Sequence, residues 1–191
     1  MIGDITKWSK ISAESFKSMQ FDSGMLVKNF DASEVTEPSE DDILCTTTGN
    51  ITVNCTPTMV DLGDDVNNLH VQAKELQYIQ RWTATMGFTA LEMSPEVLKM
   101  VLGAADVDAE SGAITPRMEL KEEDFTQNLA LVMRLIGGGL AVAVIDNALS
   151  TGGLSITTQK EGKGNLAVTM TAFASLTKQD VPMKFYVIDE A

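Results

Sequence analysis

Few side chains in this sequence have the types and spacing that chemistry needs. His70 is the only histidine. A zinc site would require a second imidazole, and no serine or cysteine stands at a recognised spacing from His70, so it reads as a structural or exposed residue. Cys45 and Cys55 are the only thiols. They lie in two strand-like runs, Ile43–Thr48 and Ile51–Thr56, that flank Gly49-Asn50 and read together as a β-hairpin. A loop spanning Gly49 to Ile51 would set the two thiols opposite each other. A disulfide is then geometrically conceivable, but without a secretion signal two packed free thiols are the expectation. Asp61 to Asn68 concentrates oxygen donors, yet it lacks the spacing and the final Glu of a calcium loop and reads as a turn. Gly137-Gly138-Gly139 lacks the Gly-Lys-Ser/Thr ending of a phosphate loop and joins strand to strand, which makes it a hairpin turn. No catalytic, cofactor-binding or metal-binding residues are expected, and an enzyme is the least expected class.

Composition narrows the partners. The chain has 191 residues, enough for one large or two small domains, of which one is favoured. Its formal charge is 14 − 27 = −13. Tight phosphate contact needs clusters of Lys and Arg, so a conventional nucleic-acid binder is excluded. Only 6% of residues are aromatic, too few for a platform that stacks single-stranded bases. A surface past which DNA moves without sticking is not excluded. No apolar run is long enough for a transmembrane helix, and the charged start has no signal-peptide core. The expectation is a soluble chain, or one made particulate by assembly.

The elements follow from the pattern. Residues 1–24 are polar with scattered apolar anchors (Trp8, Phe16, Met19, Phe21) and read as an arm or short helix that could dock on a neighbouring subunit. Met25 to Phe30 is the first strand. Residues 31–42 hold six acids and no base, as a solvated loop does. Gln77 to Met93 is strand-like in its second half, with Trp82, Met86 and Phe88 as packing residues. One helix is clearly punctuated. Ser94 is its N-cap, Pro95 its first residue, Glu96 lies at the positive end of the dipole, and Gly103 closes it. Met93 and Leu98 stand where a hydrophobic staple would, and Val97, Leu98, Val101 and Leu102 make the apolar stripe. Ala104 to Thr115 reads as an acidic linker. Four strand-like runs follow, Thr126–Ile136, Leu140–Ile145, Leu154–Gln159 and Asn165–Ala174, separated by glycines as in sequential antiparallel pairing. The first two are apolar on both faces and want cover on both, from the domain or from another copy. Lys184 to Ile188 is a last short strand. The fold class is mostly β, a β-sandwich or partial barrel, with one flanking α-helix.

Resemblance adds what spacing does not. Gly24-Met-Leu-Val-Lys-Asn-Phe-Asp31 resembles the opening of major tail proteins, the tail tube proteins of long-tailed, non-contractile bacteriophages. So do Cys55-Thr-Pro-Thr-Met-Val-Asp-Leu-Gly-Asp-Asp65 with Asn67-Asn68, the stretch from Thr89 to Asp106, and Ala148-Leu-Ser-Thr-Gly-Gly-Leu154 through Gly164. The likeness covers the chain from about residue 24 and rests on several segments in the right order, since the family has no short catalytic signature. It implies an arm at 1–24 and a single tail-tube domain at 25–191 with a loop insertion at about 31–42. Each subunit of such a family gives four strands to an inner ring barrel, and hexameric rings stack into a hollow tube in the virion tail, built in the cytoplasm of the bacterial host. The implied partners are identical subunits, a tape-measure protein, tail terminator and distal tail proteins, and double-stranded DNA passing without specific binding; no membrane is implied. Twenty-four strands at ~4.8 Å spacing, tilted about 40°, give a backbone diameter of roughly 50 Å and a bore of about 40 Å. Six copies would carry 6 × (−13) = −78 charges, so an acidic conduit that repels the duplex is expected. A tube from a gene transfer agent or tail-like bacteriocin fits the same residues, and a β-rich host-binding module is the alternative of a different class.

Overall fold

The computed structural model describes residues 13–20, 22–34 and 37–189; Trp8 and Phe21 lie outside the described residues. In chain order the elements are α1 (Ala13–Lys17), β1 (Met25–Val27), β2 (Thr47–Asp61), β3 (Gln77–Ala90), α2 (Pro95–Leu102), β4 (Ala105–Val107), β5 (Ile114–Pro116), β6 (Leu129–Arg134), β7 (Leu140–Ile145), β8 (Ala148–Ser150), β9 (Ile156–Thr157), β10 (Asn165–Ala172) and β11 (Met183–Ile188). They form three antiparallel sheets: β1-β6-β7-β11, β2-β3-β10-β8 with β9 also on β10, and the small pair β4-β5. No sheet closes into a barrel among the described residues.

The two larger sheets share one core because their strands alternate. Ala84, Met86, Phe88 and Ala90 face inward along β3, and Leu166, Val168 and Met170 do so along β10. They join Leu26, Leu129, Leu131 and Ile145 from the four-stranded sheet in a single buried cluster. The other face of that sheet is buried too: Ala130, Val142 and Val144 lie under Phe30 and beside Val132 and Tyr186. Both faces of the β6–β7 hairpin are therefore covered, and at this end the chain supplies the cover itself. The segment after β1 is held there by Lys28 N–H donating to Asp42 O (2.7 Å) and Asn29 N–H donating to Gln127 O (3.1 Å). The described part of the N-terminal arm also docks on its own chain. Gly137 N–H donates to Lys17 O (2.9 Å), and Ile136 N–H to Met19 O (2.9 Å).

Four sequence expectations need correction. Gly49-Asn50 is not a hairpin turn. β2 runs straight through it, with a bulge where the register moves from Thr48↔Thr89 to Thr52↔Gly87. Gly49 takes φ +71° with open space where a Cβ would stand, so its conformational freedom serves a bulge rather than a reversal. Cys45 and Cys55 consequently lie along one run rather than opposite each other. Both are free thiols, Cys45 buried and Cys55 half-buried across from Ala84. The four late runs do not pair sequentially either. β6 and β7 pair, but Asn147 (φ 44°) then carries the chain into the other sheet, its side-chain amide donating to Phe173 O at 3.0 Å. There the apolar face of β10 needs β3 beside it to complete the core layer. Trp82 is not a packing residue; it is 38% exposed, opposite Pro57. The acidic stretch Ala104 to Thr115 is mostly a tight hairpin, β4–β5, whose turn is tied by Asp108 accepting from Glu110 N–H (2.9 Å) and Ser111 Oγ (2.5 Å).

The helix α2 is built as its caps dictate. Ser94 Oγ accepts from Val97 N–H at 3.2 Å, Val97 and Val101 are buried, and Leu98 and Leu102 are half-buried, whereas Met93 stays largely exposed. Gly103, at φ +79°, ends the helix where an added Cβ would sit 2.8 Å from Ser150 O. Ser150 Oγ donates to Val101 O at 2.8 Å, so α2 flanks β8.

Candidate functional site

The residues with chemical potential are not brought together. His70 is exposed near the far tip of the β2–β3 hairpin. Asp61 starts the tip turn by accepting from Gly63 N–H at 2.8 Å. Burial, with Glu92 adding its charge, pushes the Cys45 thiol up to about 12, which keeps it protonated and unreactive at neutral pH. Among the described residues no three His, Cys, Asp or Glu side chains gather as a metal cluster would need.

One polar cluster is built with care, and its role is to fix a hairpin. Arg117 donates to Ala105 O (3.0 Å), to Asp106 Oδ1 (3.2 Å) and to Asp124 Oδ2. Lys121 N–H donates to the same Asp124 oxygen at 2.8 Å, and Lys121 Nζ reaches Asp106 at 3.1 Å. The Asp124 side chain is wholly buried, and its Oδ1 and Arg117 Nε have no hydrogen-bond partner among the described residues. The Lys121 hydrogen bond is the main cause holding Asp106 below the usual carboxylate range. This cluster clamps β4–β5 to the segment that enters β6. A groove of about 800 Å³ lies between the segment after β1 and the sheet beneath it. Asp31, Glu34 and Asp42 line it opposite Lys28 and Arg134, over an apolar floor, with nothing resembling a nucleophile and its base.

What the chain does present is exposed sheet surface with little charge on it. Over β2, β3 and β10 the outer face of the five-stranded sheet is uncovered among the described residues and tiled with small uncharged side chains. Thr48 stands opposite Thr89, Asn54 opposite Thr85, Thr56 opposite Thr83, and Thr169 opposite Gly87. Hydroxyls tie neighbouring strands: Thr52 Oγ1 donates to Gly87 O at 3.3 Å, and the Thr151 and Thr171 hydroxyls are 2.7 Å apart. The signal was present in the sequence, as threonine at alternate positions with apolar residues between, but it does not announce which face stays open.

The second feature is an edge. β2 is the terminal strand of its sheet and is fifteen residues long, and its charged residue is the final Asp61. Long edges are normally shortened, charged or covered, because their free N–H and C=O groups recruit other strands. The opposite border is partly closed, since Ala148 pairs with Thr126 and Gly103 abuts Ser150 O, which leaves the β9 half open.

The third feature is a projecting arm. No side chain between Thr56 and Thr83 belongs to the buried core, yet the two strands stay paired out to Asp61 and Gln77. Met59, Val60, Leu62, Tyr78 and Ile79 on this arm are 38% to 58% exposed.

No protein-family model matches the chain, and comparison with curated proteins finds no similar one.

Proposed function

We propose that this chain is the subunit of a hollow tube of the bacteriophage tail type, assembled as stacked hexameric rings and serving as a conduit for double-stranded DNA. The observation that carries the reading is the unsatisfied surface of the lone chain: a long open strand edge, an uncovered sheet face and an arm with exposed apolar side chains in one molecule. Ring closure removes open edges without any extra element. The five-stranded sheet has four strand positions, because β8 and β9 both lie along the same side of β10. Neighbouring positions are antiparallel throughout. An even number of alternating strands means that copies related by rotation meet antiparallel at the seam, so β2 of one copy can follow the β9 side of the next. The arm then reaches an adjacent ring, a stronger candidate for stacking than the loop at 31–42, since Phe30 at the start of that loop covers the chain's own sheet. The resemblance of residues 24–31, 55–68, 89–106 and 148–164 to tail tube proteins supports the same reading, with a tape-measure protein and terminal tail proteins as further partners.

Negative-stain electron microscopy of the purified chain over a range of concentrations tests this. Tubes or ring stacks with a central bore are expected. A protein that remains monomeric at every concentration and ionic strength would refute the reading.

A further inference from the structure

We infer that the threonine-tiled outer face of the five-stranded sheet is the wall of the bore, and that DNA passes an uncharged surface there rather than an acidic one. The inference rests on the tube reading above and specifies the surface on which it acts.

Of the two large sheets, one is disqualified by its own chain. The segment around Phe30 lies over Ala130, Val142 and Val144 at the middle of the outer face of β1-β6-β7-β11, so that face is interrupted rather than an even wall. The outer face of the other sheet carries no such roof over β2, β3 and β10: Thr52, Asn54, Thr56, Ala167 and Thr169 are exposed. Charged residues make up 21% of the chain, so a dozen positions at that average would hold about two or three. The outward positions from Thr48 to Thr56, from Thr83 to Thr89 and from Asn165 to Thr171 hold none. They are Thr, Asn, Ala or Gly. The first charge met is Arg81, opposite Thr58 at the root of the arm. A bare sheet face on a free soluble chain would ordinarily carry Lys and Glu to prevent sticking. Its absence here marks a face that is enclosed in the working state.

The chemistry suits a moving polyanion. Without Lys or Arg the wall cannot neutralise phosphates and release counterions, so it provides no electrostatic grip. Side chains of nearly equal height leave no ridge to catch a groove, and part of the hydroxyl hydrogen bonding is already used within the sheet. The net charge of −13 is therefore carried by positions off this part of the sheet face.

The experiment uses tubes of the full chain. Thr169→Cys and Glu96→Cys tubes are treated with a small maleimide and with a maleimide on a carrier too wide for a bore of about 40 Å. Thr169→Cys should react with the small reagent alone, and Glu96→Cys, on the exposed side of α2, with both. Reaction of Thr169→Cys tubes with the wide reagent overturns the inference and leaves the tube reading standing. Failure of the wild type to form tubes removes the tube reading itself. Should Thr169→Cys not assemble, an electron cryomicroscopy map of wild-type tubes decides directly whether Thr85 and Thr169 line the bore. Sedimentation with linear duplex then reads the charge. Wild-type tubes should retain no DNA at low or physiological salt, and Thr169→Lys tubes should retain it at low salt only. Retention by wild-type tubes, or none by the lysine variant, contradicts an uncharged wall.

Discussion

Removing the arm should separate folding from the proposed assembly. The variant replaces Met59 through Gln80 with Asn-Gly, joining Thr58 to Arg81, which already face each other across β2 and β3. Asn-Gly supplies the two-residue turn that suits such a closure. No buried core side chain is lost, because none lies between Cys45 and Ala84. Loop closure becomes slightly easier, so the melting temperature should stay within a few degrees of wild type. Assembly should behave very differently. Met59, Val60, Leu62, Val66, Val71, Tyr78 and Ile79 all disappear, each between 38% and 73% exposed in the lone chain. Complete burial of one such side chain is worth about 1.5–3 kcal/mol, so covering the exposed half of seven contributes about 5–10 kcal/mol per arm. At 1.4 kcal/mol per tenfold, the lower figure alone raises the concentration needed for polymerisation by more than ~10³-fold. Pelleting assays with electron microscopy across a dilution series measure it. Tubes forming at the wild-type concentration would refute the role of the arm. A melting point lowered by far more than a few degrees would refute its independence from the core.

Other perturbations test the interior. Arg117→Ala strands the fully buried Asp124 carboxylate and should cost about 3–5 kcal/mol in denaturant unfolding, whereas Arg117→Met with Asp124→Leu should recover most of it. In native protein near pH 8, Ellman's reagent should leave Cys45 unmodified, because burial holds its thiol near 12; in guanidinium both thiols should react. Glu92 accepts from Thr46 Oγ1 and, at 2.8 Å, from Thr46 N–H, which hold its carboxyl below the usual carboxylate range. A depressed carboxyl stabilises the fold fully above its unfolded value and loses that contribution as pH falls through the folded one. The stability gap between wild type and Glu92→Gln should therefore be constant near neutrality and close below about pH 4.5, as urea titrations at several pH values would report.

The parts of the fold legible in the sequence are those fixed by neighbours along the chain. Ser94, Pro95 and Gly103 declare α2 because a helix end is satisfied by residues within a few positions of it. Gly137 to Gly139 declares the β6–β7 turn for the same reason. Gly49-Asn50 misled, because a glycine at positive φ between β-branched runs serves a bulge as well as a reversal, and only the partner strand chooses. The crossing at Asn147 was invisible, since it depends on β10 finding β3, which precedes it by some eighty residues of chain. Trp82 looked like core because aromatic strand residues commonly are. The loss of burial alternation along Gln77–Thr83 places it on the arm instead. The bare threonine face was written in plain alternation, but alternation fixes two faces and not which is covered.

Charge placement links these features to assembly. A chain with 27 acids could have put some along β2's edge or on the sheet face, and any of them would have guarded the lone chain against sticking. Instead the outward face between Thr48 and Thr56 has none, and β2 has only its last residue. The acids gather at 31–42, at 61–75 on the tip of the arm, at 106–110 and at 119–124, off that face. In the proposed tube, such a division would keep free subunits mutually repulsive overall while leaving the β2 edge and the sheet face able to meet at contact. Repulsion between like-charged copies is screened within about 8 Å at physiological salt, whereas strand pairing and apolar contact act only inside that range. Encounter is thus slowed, and the close fit, once reached, is not opposed by charge where the strands meet.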